Sequence, residues 1–159
     1  MSDTNDKGRN EKATGGPEPA TDGGAQVTSR GSVSDTTTRG VRIQVRSTYL
    51  PDHSSPRDGE YFFTYHVIIS NVGSETAQLI SREWVITNAE GEVEKVKGPG
   101  VVGQQPVLPP GGSFEYTSNC PIKTAVGSMH GTYHMVTDKG EQFDAVIAPF
   151  TLAVPNALN

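Results

Sequence analysis

The stretch Tyr61-Phe62-Phe63-Thr64-Tyr65-His66-Val67-Ile68-Ile69-Ser70 alternates along its whole length. Tyr61, Phe63, Tyr65, Val67 and Ile69 fall on one face, and Phe62, Thr64, His66 and Ile68 on the other. A period of two belongs to an extended chain, and aromatic and β-branched residues suit a pleated surface. Both faces carry apolar side chains, which predicts a strand at the centre of its sheet. The same period continues outward in both directions. Val41, Ile43 and Val45 alternate with Arg42, Gln44 and Arg46. Residues 77–88 put Ile80, Trp84 and Ile86 on one face; Asn88-Ala89-Glu90-Gly91 then reads as a turn before residues 92–97 resume as a strand, making a hairpin. Phe114, Tyr116, Ser118 and Cys120 alternate after Pro109-Pro110-Gly111-Gly112, and residues 129–136 and 141–152 flank the turn Thr137-Asp138-Lys139-Gly140. About seven to eight strands, with turn signals between them and no helical stretch, predict an all-β chain. Its expected form is an antiparallel sandwich of the immunoglobulin or fibronectin type III-like kind.

The pattern starts at Arg39. The first 39 of the 159 residues hold six apolar ones (Met1, Ala13, Ala20, Ala25, Val27 and Val33), and residues 1–38 contain no Ile, Leu, Phe, Trp or Tyr. Such a segment buries too little apolar area to offset the entropy of ordering its backbone. The expected organisation is a disordered tail over 1–38 and one domain over 39–159, long enough to fold without staples.

Charge argues against whole classes of partner. The net charge is -5, and the basic residues after Arg39 (Arg42, Arg46, Arg57, Arg82, Lys95, Lys97, Lys123 and Lys139) are scattered along the domain. A nucleic-acid binder needs them clustered against phosphates, so no nucleic-acid partner is expected. The longest apolar run is Ala145-Val146-Ile147-Ala148, far short of the roughly 20 residues that cross a bilayer, so no membrane partner is expected either. The N-terminus has no apolar signal region, and Cys120 is the single cysteine. The expected location is the cytoplasm.

Gly98-Pro99-Gly100-Val101-Val102-Gly103 has the letters G-x-G-x-x-G of a dinucleotide fingerprint. The fingerprint needs a helix after it, whereas Gln104-Gln105-Pro106-Val107-Leu108-Pro109-Pro110 cannot form one. Two readings stay open for these glycines: a small backbone anion nest, or a bend at a sheet edge. His130 and His134 share strand parity but are separated by roughly 13 Å of extended chain, too far for one metal ion, so no metal site is expected. Cys120 has no neighbouring base and shares parity with Phe114 and Tyr116, which reads as a buried small hydrophobe. No catalytic set is recognisable, and neither an enzyme nor a cofactor is expected. Arg82 shares parity with Trp84 and Ile86. Either the strand is bulged there, or Arg82 sits at a rim where it reaches a carboxylate, a carbonyl or an anionic ligand.

Four runs together carry a family resemblance: Leu79-Ile80-Ser81-Arg82-Glu83-Trp84-Val85-Ile86-Thr87, then Gly98 through Leu108, then Phe114-Glu115-Tyr116-Thr117-Ser118, then Gly127-Ser128-Met129-His130-Gly131-Thr132-Tyr133-His134-Met135. In this order they closely resemble the ApaG domain, over residues 39–150. The chain has Glu83 where many members have an aromatic or basic residue, so no ligand role carries over to that side chain. The resemblance implies a fibronectin-type sandwich. It also implies an association with cobalt and magnesium tolerance or efflux in bacteria, with no demonstrated catalysis. Similar eukaryotic domains, appended to F-box proteins and to a DNA-polymerase-interacting protein, look like protein-interaction modules. The family's glycine motif maps onto Gly98, Gly100 and Gly103.

The reading that results is a non-enzymatic module docking an unidentified protein. The expected contacts are Trp84, Tyr133 and the loop from Gly98 to Leu108, with Gln104 and Pro106 among them. The alternative is a phosphate-containing ligand held by the Gly98, Gly100 and Gly103 amides and by Arg82.

Overall fold

The strand expected to be central is β3, Tyr61–Asn71, and it lies between β2 (Val41–Tyr49) and β7 (Ser113–Ile122), antiparallel to both. Phe63, Tyr65, Val67 and Ile69 all point into the core, as their alternation requires. The computed structural model describes residues 32–157. Within them nine strands form two sheets. One sheet has the order β1-β2-β3-β7, where β1 is Val33–Thr38. The other has the order β5-β4-β8-β9, with β4 Ala77–Asn88, β5 Val93–Pro99, β8 Val126–Thr137 and β9 Gln142–Ala153. The two-residue β6, Val107–Leu108, pairs with the start of β4. All pairings are antiparallel, and the two inner faces enclose one core around Trp84, Tyr133, Phe63, Leu79 and Met129. The architecture is the sandwich read from the alternation. No helix among the described residues is long and apolar enough to cross a membrane.

Two bulges change the faces that simple parity assigns. On β4 the register to β8 shifts between Leu79 and Ser81. Leu79 is therefore the fully buried residue and Ile80 is not, contrary to the face expected from Ile80, Trp84 and Ile86. On β9 the inward residues go from Ala145 and Ile147 to Phe150 and Leu152, and the extra residue falls at Ala148-Pro149. Proline is tolerated there because a bulge releases it from the ladder.

The expected domain boundary at Arg39 needs a correction. Val33–Thr38, assigned to the tail, is a strand paired to β2 over its full length. Residues 1–31 of that tail lie outside the described residues. Composition missed β1 because polar contacts hold it. Arg42 donates through Nε and Nη2 to the two Asp35 carboxylate oxygens at 2.9 and 2.7 Å. The Thr38 hydroxyl accepts from the Val146 amide at 3.1 Å, and the Ser32 hydroxyl accepts from the Thr151 amide at 2.8 Å. An edge strand satisfied in this way needs no aromatic or leucine of its own.

The sandwich is thus closed on one side only. β1 and β2 reach β9 through these hydroxyl bonds and through Ser47, whose hydroxyl donates to the Thr151 carbonyl at 2.8 Å. On the opposite side β5 and β7 are the outer strands of their sheets, and no such bond between them is seen among the described residues.

Candidate functional site

The glycine motif is the tip of a hairpin between β5 and β6. Val101 and Gln104 exchange both backbone hydrogen bonds at 2.8 Å, and the two residues between them, Val102 and Gly103, have φ of 40° and 79°. Two central residues at positive φ are what a type I′ turn requires, and its twist matches that of the flanking strands. Gly100, at φ 59°, lies where a Cβ would come within 2.2 Å of the Gln104 carbonyl oxygen. The amides of Gly100, Val101 and Gln104 all donate to backbone carbonyls, of Ile80, Gln104 and Val101 respectively. Of the two readings left open, the geometry corresponds to the bend at a sheet edge.

Arg82 explains the remaining glycine. Its Nη1 donates to the Pro99 and Gly100 carbonyls at 3.0 and 2.9 Å, and its guanidinium lies so close under Gly98 that a Cβ there would sit 2.9 Å from Nη2. Arg82 lies beyond the bulge at Leu79/Ser81, where the ladder to β8 is regular, so alternation with Trp84 and Ile86 turns it toward the space between the sheets, opposite Gly98 near the end of β5. Of the two options weighed for Arg82, the second is the one seen: the strand's bulge lies before it, and the side chain reaches backbone carbonyls. Gln104 and Pro106 serve the same hairpin through their backbones, Pro106 by accepting from the Leu79 amide at 3.0 Å. The Gln104 side chain is exposed.

Trp84 and Tyr133 were expected on a docking face. They are 2% and 0% exposed, so neither offers surface to a partner. Their size and central position put them in the core, where Trp84 meets Tyr65, Tyr133 and Phe150 edge-on. The Tyr133 hydroxyl is hydrogen-bonded to that of Tyr116 across the two sheets. Burial raises the ionisation of both phenols far above the ordinary tyrosine range, so the pair stays protonated.

The open side leads into the core. A cavity of about 170 Å³ lies between the sheets, walled by Tyr65, Trp84, Ile86, Val96, Tyr116 and Met129, with Arg82 at one end. Cys120 is also in its wall, and burial, followed by the nearby Glu94 carboxylate, pushes its thiol up to about 12. A thiol that keeps its proton is not a nucleophile at neutral pH. A wider groove of about 570 Å³ shares Ile86, Glu94 and Pro121 with the cavity and runs on past Val93 to Glu60, Glu92 and Lys123. Together they make one seam between β5 and β7. Sequence reasoning did not find it, because alternation tells which residues face inward but not which two strands end their sheets.

His66 lies on β3 in one sheet, and His130 and His134 lie on β8 in the other. The ring of His66 bonds the Thr117 hydroxyl at 2.8 Å, and that of His134 bonds Asp144 at 3.0 Å and Gln142 at 2.9 Å. These two contacts, Asp144 first, raise the His134 imidazolium above its usual range. Among the described residues no group of three or more His, Cys, Asp or Glu is placed to hold a metal ion.

The chain is similar in sequence and fold to known proteins. A family model described as the ApaG domain matches residues 51–137. Protein ApaG of Anaeromyxobacter dehalogenans is 55% identical over 127 residues, spanning 80% of this chain and 100% of that protein. Protein ApaG of Bordetella pertussis is 50% identical over 119 residues, 75% of this chain and 91% of the other. A crystal structure described as the ApaA protein of Bordetella pertussis superposes with a TM-score of 0.73 at 48% identity, covering 77% of this chain and 99% of that one. With a family match over more than half its length, full-length relatives at this identity and the same fold, the chain belongs to the ApaG family.

Proposed function

We propose that the chain is a non-catalytic binding module of the cytoplasm, which docks an extended basic segment of a protein partner along the seam between β5 and β7. The observation that carries this reading is the one-sided closure of the sandwich. β5 pairs only with β4 and β7 only with β3 among the described residues, so each presents a backbone edge beside the same groove. An extended peptide can add to such an edge as a further strand, gaining main-chain hydrogen bonds while alternate side chains enter the groove. Val93, 58% exposed, lies on this edge and in the groove, and offers apolar contact. Glu60, Glu92 and Glu94 outnumber Lys123 along the groove, which favours a basic segment. Lys95 and Lys97 on β5 blunt pairing with unselected strands. The Cys120 thiol and the Tyr116–Tyr133 phenols keep their protons, so none of the three is an activated nucleophile, which supports a binding role.

A link to cobalt or magnesium tolerance, as the family resemblance implies, would then run through the docked partner. The phosphate reading has less to draw on, since the amides and the guanidinium nitrogen it would use already donate to carbonyls.

The test is a photo-crosslinking amino acid placed at Val93 and, separately, at the exposed Thr48 on β2, in cells making the full chain. A discrete adduct from Val93 alone, lost when Glu92 and Glu94 are changed to Lys, supports the reading. Equal adducts from both positions, or an adduct indifferent to the charge reversal, refute it.

A further inference from the structure

The seam has two strand edges, and the backbone hydrogen bonds decide what each leaves free. In an antiparallel ladder alternate residues bond to the neighbouring strand, and those between them direct their N–H and C=O the other way. The Asn71 amide donates to the Gly112 carbonyl on the β7 side of β3, while the Val72 amide donates to Gly40 and the Phe62 carbonyl accepts from Leu50 on the β2 side. With Ile69 opposite Phe114, this alternation leaves Glu115, Thr117 and Asn119 of β7 with both backbone groups directed away from β3. On β5 the bonds from Asn88 to Glu92 and from Gly100 to Ile80 set the same alternation, so Val93, Lys95 and Lys97 point away from β4.

The side chains beside these free groups differ between the two edges. Lys95 and Lys97 are exposed on β5, and lysines on an edge discourage pairing. Pro99, next in that row, has no N–H, and its carbonyl accepts from Arg82 Nη1 at 3.0 Å. β7 carries no lysine or arginine. Thr117 and Asn119 are exposed and uncharged, and Glu115, half-buried with the His66 ring 3.4 Å away, brings a carboxylate to this edge. Pro121 stands at the next outward position and ends the row of donors.

Charge makes the same choice. A basic segment beside β5 would set its cations against Lys95 and Lys97. Beside β7 it meets Glu115 and, across the groove, Glu92 and Glu94. Like charges directly opposite each other on a sheet are destabilising, and opposite charges contribute.

This rests on docking at the seam: we infer that the basic segment joins the β1-β2-β3-β7 sheet as a fifth strand beside β7, with a Lys or Arg opposite Glu115, and does not pair with β5. Its residues opposite Glu115, Thr117 and Asn119 face outward with them. Those between face the groove, where Ile86, Val93 and Ile122 suit apolar side chains.

The test uses the full chain with the photo-crosslinking amino acid at Val93, which shares the groove with Pro121 and Ile122 and so lies within reach of a strand on β7. Thr117→Pro removes one outward N–H of β7 and sets a ring in the path of an added strand; Lys95→Pro does the same on β5. Neither removes a donor from a ladder inside the domain, and Pro121 and Pro99 already occupy such positions. Thr117→Pro is expected to cut adduct yield roughly 10-fold or more, beyond the effect of one net hydrogen bond because the ring also excludes the strand. Lys95→Pro should leave the yield unchanged. Asn119→Lys blunts β7 as Lys95 blunts β5, alters an exposed side chain alone, and should also lower the yield, so it decides the matter if a proline variant fails to fold. An adduct that survives either β7 change in a folded variant, or that is lost in folded Lys95→Pro, overturns the inference and leaves docking at the seam standing. No adduct from the parent chain refutes docking itself, and the inference with it, so the two failures are told apart.

Discussion

Replacing Gly131 with Ala tests how tightly the second sheet is built around Trp84. Gly131 on β8 stands directly opposite Trp84 on β4, and a Cβ added there would lie 2.1 Å from the Glu83 carbonyl oxygen and 3.2 Å from the Trp84 Cα. The obstacle is backbone on a central strand pair, so no rotamer change relieves it. β8 must instead move about 1 Å from β4, and overpacking of this kind without relief costs upward of 1–3 kcal/mol. Two or three ladder bonds around Gly131 would lengthen past useful range, at about 1 kcal/mol each, which brings the loss to about 3 kcal/mol. For a domain of this size each kcal/mol lowers Tm by about 3–5 °C, so a fall of about 10–15 °C is expected in calorimetry. Trp84 fluorescence should change in the still-folded variant, because the displaced strand carries its neighbour Tyr133. Gly140→Asn is the control: φ is 86°, nothing lies within 4 Å of its Cβ position, and asparagine tolerates that conformation. If Gly131→Ala melts within about 3 °C of the parent, the close strand approach read from the structure is wrong.

The two turn glycines should part company. Gly100→Ala meets the Gln104 carbonyl as well as a positive φ and should cost about 2 kcal/mol or more, whereas Gly103→Asn, in a type I′ position with open space, should change stability by about 0.5 kcal/mol or less; chemical denaturation separates the two. Stability should also fall on the alkaline side. The Cys120 thiol, raised to about 12, and the Tyr116 and Tyr133 phenols, raised further, stay protonated in the folded chain while their unfolded counterparts ionise from about pH 9 upward. The unfolded state then binds fewer protons, so this stability is complete below pH 9 and is lost progressively as pH rises toward 12. Denaturation midpoints between pH 7 and 11 check this reading, and a flat profile would contradict it. Iodoacetamide should label Cys120 at pH 8 only as fast as the protein unfolds.

The sequence by itself determined that the chain is a β-sandwich, and it named the inward residues of β2, β3 and β7. A strand half-buried in a sheet repeats every two residues, and that period is local information. It also identified Cys120 as a buried small residue and denied the glycine motif its helix, because the prolines after Gly103 act on their own neighbourhood. What depended on distant partners was not legible. β1 looked like tail because its order comes from Asp35 meeting Arg42 and from hydroxyls meeting β9, more than a hundred residues away for Thr38 and Ser32. Ile80 was placed inward because a bulge is a property of two strands together and leaves no mark in the alternation of one. Trp84, whose parity with Ile86 already suits the core, and Tyr133 were assigned to the docking face because an aromatic near a loop looks alike in sequence whether a second sheet covers it or not. The seam was decided by tertiary structure alone. Only the packing of one sheet on the other settles which edges close by hydrogen bonding and which stand apart.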